Sequence, residues 1–217
     1  MEDSNQRNYL KSQSYRYHVL TKHSLESLYS SSGSLDWKTQ PDPFRVYEGA
    51  SKIALGRVFS TKEISLFESI KVMHNGQGGQ PPDEVLPPPA VPANLDFISN
   101  LLFHSMAISA WKQVKGTNSK WALRVNPSSG NLHPTEVHVL TNNIDGIGDG
   151  VYHYLAENHS LELRAADNIL KPVLQLISKA KIEAPPVMLC LSSIFWREAW
   201  KYRDRAFRYC QLDLGHA

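Results

Sequence analysis

The sequence lacks the features that would place it in an unusual environment. It has only two cysteines, Cys190 and Cys210, in 217 residues. That is too few for a disulfide framework, so free, partly buried thiols in a reducing, cytoplasmic setting are expected. No apolar run approaches the ~18 residues that cross a bilayer, so no membrane partner is expected. The first residues hold charges and no apolar stretch, which argues against a secretory signal, and Glu2 and Asp3 argue against a transit peptide. Neither sign of charge is in excess. There are 23 basic and 21 acidic residues, for a net charge of +2, so composition gives no general case for nucleic acid or an anionic surface. No internal repeat is present.

What remains is an ordinary globular composition, 41% hydrophobic and 20% charged, with enough chain for one sizeable core or two small ones. Prolines and glycines concentrate between Asn75 and Pro92. That stretch can be neither helix nor central strand, and it marks a boundary. The expected organisation is a leader region over 1–74, a linker over 75–93 and a domain over 94–217. The leader is serine-rich and is expected to pack loosely or separately. It has a short helix within 17–29 and a second helix from a capping box at Ser60 and Glu63 to about Val72. Beyond the linker, spacings of three and four predict a helix over 94–112, capped by Asn94. Alternation predicts a strand over 135–141 and a hairpin from 151–155 and 161–164. A helix over 169–180, a strand over 187–191 and a helix running from about Phe195 to the last residue complete the pattern. This predicts an α+β fold, with helices packed on a mainly antiparallel sheet.

The segment most suggestive of chemistry is Pro127-Ser128-Ser129-Gly130-Asn131-Leu132-His133-Pro134, just before the strand over 135–141. Pro127 fixes one dihedral and Gly130 permits a left-handed one, so several N–H groups can face one spot. Such a nest suits a phosphate or the polar edge of a ring cofactor. The same residue types also describe an ordinary strand-entry loop. Near the end, Lys201, Arg205 and Arg208 fall at helical spacing. They form either a solvated basic stripe or a set of cations that would depress the pKa of Lys201. The interleaved aromatics of that helix suit single-stranded nucleic acid, but Glu198 and Asp204 interrupt it and no nucleic-acid partner is expected. His133, His138, His153, His159 and His216 lack the spacing of a closed metal site, and no metal is expected.

Three blocks resemble the nitroreductase superfamily, in particular its SagB-type, azoline dehydrogenase-like branch. They are the loop and strand from Pro127 to Val139, the strand Gly150-Val151-Tyr152-His153-Tyr154, and Trp200-Lys201-Tyr202-Arg203-Asp204-Arg205-Ala206-Phe207-Arg208-Tyr209. The resemblance implies a nitroreductase-like fold and FMN as cofactor. It implies that Pro127, Ser128, Ser129, Gly130 and Asn131 face the flavin, with Arg205 beside it. Lys201 and Tyr202 would carry proton abstraction from a small-molecule substrate. The arginine pair with which the family holds phosphate is replaced here by 69–74, where Lys71 lacks the bidentate fork. The resemblance also implies a homodimer and a chain continuing past Ala217, so the fold is expected to be incomplete at the C-terminus. A truncated, non-catalytic scaffold that binds a protein partner is the alternative.

Overall fold

A computed structural model describes residues 12–26, 34–56, 92–117, 119–166 and 170–217. The expected helix from Ser60, Lys71 and nearly all of the linker lie outside the described residues. The elements are α1 (Gln13–Thr21), β1 (Lys52–Ala54), α2 (Leu95–Met106), β2 (Ile108–Gln113), β3 (Lys120–Arg124), β4 (Thr135–Thr141), β5 (Gly150–Leu155), β6 (Ser160–Ala166), α3 (Leu170–Lys179), β7 (Val187–Ser193), α4 (Phe195–Tyr202) and α5 (Ala206–His216). Five strands form one sheet in the order β1-β6-β5-β4-β7, and every neighbour pairs antiparallel. This is the expected α+β fold.

The alternation in β4, β5 and β6 decides which side is dry. Val137, Val139, Tyr152, Tyr154 and Leu161 face one side, where Ile98, Leu102 and Met106 of α2 cover them. α2 opens as its sequence dictates, with Asn94 accepting the Phe97 N–H at 2.8 Å.

Three expectations are corrected. The helix predicted over 94–112 stops at Met106, and Ile108–Gln113 is a strand paired with β3. The apolar spacing that carries α2 happens to continue to Ile108. Trp111 then prefers a hairpin, where the Lys120 ammonium sits 4.1 Å from its ring centre. The last helix is not continuous. Arg203, at φ 49 and ψ −119, breaks it, and a short 3-10 turn separates α4 from α5. Lys201 and Arg205 therefore do not share one helical face. No glycine or proline marks this break, so periodicity could not reveal it. Within the described residues of the leader, finally, 44–55 do not pack apart. β1 pairs with β6, and Phe44, Ile53 and Leu55 join the core.

Candidate functional site

The loop between β3 and β4 turns as its glycine allows. Gly130 takes φ 64 and ψ 10, and Asn131 and His133 follow at φ 60 and 48. What fixes the loop is Asp213 of α5. The Ser128 hydroxyl donates to Asp213 Oδ2 at 2.7 Å, and the Ser129 hydroxyl to Oδ1 at 2.8 Å. The Ser129 N–H donates to the same carboxylate at 3.0 Å. Ser128 Oγ in turn accepts the His133 N–H at 2.8 Å. The Asn131 amide donates to the Ala122 carbonyl at 2.9 Å, and its oxygen faces His133 Nε2 at 2.9 Å. An amide oxygen only accepts, so Nε2 carries the hydrogen. Burial, helped by Arg124 and Arg197, pushes the His133 pKa down to about 3, so its ring stays neutral.

This geometry redirects the residues expected to face a cofactor. Pro127 is exposed, and the donors of Ser128 and Ser129 point inward at Asp213. Gly130 and Asn131 alone of that set line an open groove of about 820 Å³. Its other walls include Trp37, Phe44, Trp111, Lys120 and Trp121. Arg205 lies half-buried in the turn after α4 and does not line the groove.

Lys201 and Tyr202 reach the loop at one point. A Cβ built on Gly130 would lie 2.7 Å from Lys201 Nζ and 2.9 Å from the Tyr202 hydroxyl. The two side chains thus converge where the glycine has none. Gly130→Ala adds a methyl at positive φ and pushes both away. We expect it to lower stability by about 1–2 kcal/mol in thermal denaturation. Tyr202 is held as a phenol. Burial first, then Glu198, Tyr209 and Asp213, push its pKa up to about 12.

Beneath the pair lie two acids that sequence patterns did not assign. Glu198 is 0% exposed, and neither carboxyl oxygen has a hydrogen-bond partner among the described residues. Burial and the Asp213 charge, opposed by Lys201, push its pKa up to about 8. The signal for Asp213 was spacing. Ala206, Cys210 and Asp213 form the buried stripe of α5, and an acid on such a stripe needs donors. Cys210 feels both acids, and its thiol is pushed up to about 11, by burial first.

A row of charges anchors α4 to the second sheet face. Buried Arg197 donates to the His133 carbonyl at 2.6 Å and to Glu136 Oε1 at 2.5 Å. Glu136 Oε2 lies 2.7 Å from His153 Nε2, and His153 Nδ1 lies 3.0 Å from Glu162. Lys52 of β1 closes the row at 3.1 Å from Glu162. Burial would raise the Glu162 pKa, but hydrogen bonds from His153, Lys52 and the Tyr47 N–H outweigh it and hold it below the usual range. His153, fully buried, is the centre of this row. Among the described residues no cluster of three or more His, Cys, Asp or Glu side chains is arranged to hold a metal.

Comparison with known proteins agrees with this architecture. No family model matches the chain. A candidate nitroreductase of Methanocaldococcus jannaschii is 28% identical over 127 residues, covering 58% of this chain and 59% of that protein. The solved structure of a candidate nitroreductase from Anabaena variabilis superposes with a TM-score of 0.67 at 28% identity, over 93% of this chain and 36% of that one. The fold is nitroreductase-like.

The trifolitoxin-processing protein TfxB of Rhizobium leguminosarum bv. trifolii is 30% identical over 129 residues, 57% of this chain and 34% of that protein. The nitroreductase-like chain therefore spans little more than half of the first relative and about a third of the other two. Among the described residues no helix is long and apolar enough to cross a membrane.

Proposed function

We propose that this nitroreductase-like chain is an FMN-dependent oxidoreductase acting on a small molecule, as a cytoplasmic homodimer. The observation that carries the reading is the convergence of Lys201 Nζ and the Tyr202 hydroxyl on Gly130. An open aromatic groove lies against the same glycine. The groove fits a planar ring in size and lining. Gly130 and Asn131 would stand at its edge, with Trp111 and Trp121 as apolar walls. The phosphate would rely on Lys120 at the groove, because the hydroxyls of Ser128 and Ser129 are held by Asp213. Bound flavin supplies the hydride or electron chemistry. The protein's own part is to place substrate and move a proton. Lys201, in its free-amine form, would take the proton, and Tyr202, kept as a phenol, would orient it by donating a hydrogen bond.

The test is reconstitution with excess FMN, followed by gel filtration and a visible spectrum. Retained flavin bands are expected. Lys201→Ala should keep the flavin and lose about 100-fold or more in turnover, since a base acts in the transition state. Absence of bound flavin would reject the reading. A second reading, a non-catalytic scaffold for a protein partner, draws on the same inward turn of the loop donors, and it would then be preferred.

A further inference from the structure

The leader helix packs against α5, the helix that follows the Lys201–Tyr202 pair. Arg208 of α5 grips it, donating from Nη2 and Nε to Thr21 Oγ1 at 2.9 and 3.2 Å. Nη2 also donates to the His18 carbonyl at 3.2 Å. The Arg208 N–H donates to the Tyr17 hydroxyl at 3.0 Å, and the Tyr17 ring stands edge-on to Phe207 at 5.9 Å. α1 has 9 residues, fewer than the ~12–15 that an isolated helix needs, so this grip is what orders it. Just past α1, His23 Nε2 lies 2.9 Å from the Tyr209 hydroxyl. The Tyr209 ring then lies against Tyr202, with centroids 4.0 Å apart and planes 32° apart. Tyr202 ends at Gly130.

A continuous line of contacts therefore runs from the leader to the tyrosine of the site. It matters because α4 and α5 are joined through the break at Arg203. Across that break the Tyr202 and Tyr209 rings form a direct contact between the two helices. We infer that His23 and Tyr209 are positioning residues, through which the leader keeps the Tyr202 hydroxyl over Gly130. The inference rests on the role proposed above for Tyr202.

The experiment labels tyrosine ring carbons with 13C and assigns the Tyr202 signal by its loss in Tyr202→Phe. His23→Phe keeps a ring beside Tyr209 and removes the nitrogen. It is exposed, so the fold should survive. The Tyr202 signal should shift or broaden, and His23→Gln, which can still hydrogen-bond, should restore it. Arg208→Lys should act in the same direction through α5. In flavin-loaded protein, His23→Phe should lower kcat about five-fold with KM unchanged. An unmoved Tyr202 signal in both His23→Phe and Arg208→Lys would overturn the inference. A moved signal in protein that binds no flavin would leave the inference standing and reject the proposed function alone.

Discussion

At about pH 9 the Glu198→Gln protein will be more stable than the parent, and at about pH 5 the two will be nearly equal. Glu198 is an acid with an ordinary pKa of 4.5 that burial, then the Asp213 charge, pushes up to about 8 in the fold. Between those values the native state holds a proton that the unfolded chain has released. Stability therefore falls as pH rises through this window. Below it, both states are protonated and the group contributes nothing. Each tenfold difference in proton affinity between the folded and unfolded chain is worth about 1.4 kcal/mol, so the loss across the window is of order 3–5 kcal/mol. Glutamine cannot ionise and removes this slope, while it keeps the size and the neutral form that the site accepts at low pH. Urea denaturation of both proteins over a pH series measures it. Parallel curves would show that Glu198 carries no such penalty.

Asp213→Ala should destabilise the chain by about 3–5 kcal/mol, with Asp213→Asn between it and the parent. The alanine leaves three donors of the loop without their acceptor, namely both seryl hydroxyls and the Ser129 N–H. Asparagine keeps one oxygen and loses the charge. The same charge raises Glu198, so Asp213→Asn should also flatten the pH dependence described above. The double variant with Glu198→Gln should then show less than additive effects. Chemical denaturation gives the energies. Full additivity would mean that the acids do not sense each other.

The strand β4 and the β5–β6 hairpin were legible because strict alternation leaves few choices, and their valines and tyrosines could face only one core. The β2–β3 hairpin was not, because residues 94–108 keep a helical spacing across a strand start. The site was half legible. The family resemblance singled out both the loop and Lys201 with Tyr202, and the structure brings these two side chains to Gly130. The direction of Ser128 and Ser129 did not, because a hydroxyl pairs equally well with a ligand or with a carboxylate 84 or 85 residues away. Glu198 was hidden for the opposite reason. A charged residue between Arg197 and Lys201 looks solvated, and only packing shows that its oxygens have no partner among the described residues.

The row from Lys52 to Arg197 also changes how the sheet comes apart. β1 is three residues long and lies at an edge, and such edges ordinarily fray first. Here, peeling β1 away withdraws a cation from Glu162, whose side chain is 0% exposed. The carboxylate left behind still holds His153, which holds Glu136, which holds Arg197 on α4. Opening the edge therefore exacts a buried-charge cost that ordinary fraying does not. The short strand is therefore expected to open together with the helix that carries Lys201, and slow amide exchange should extend across the sheet to β1 instead of ending at β6.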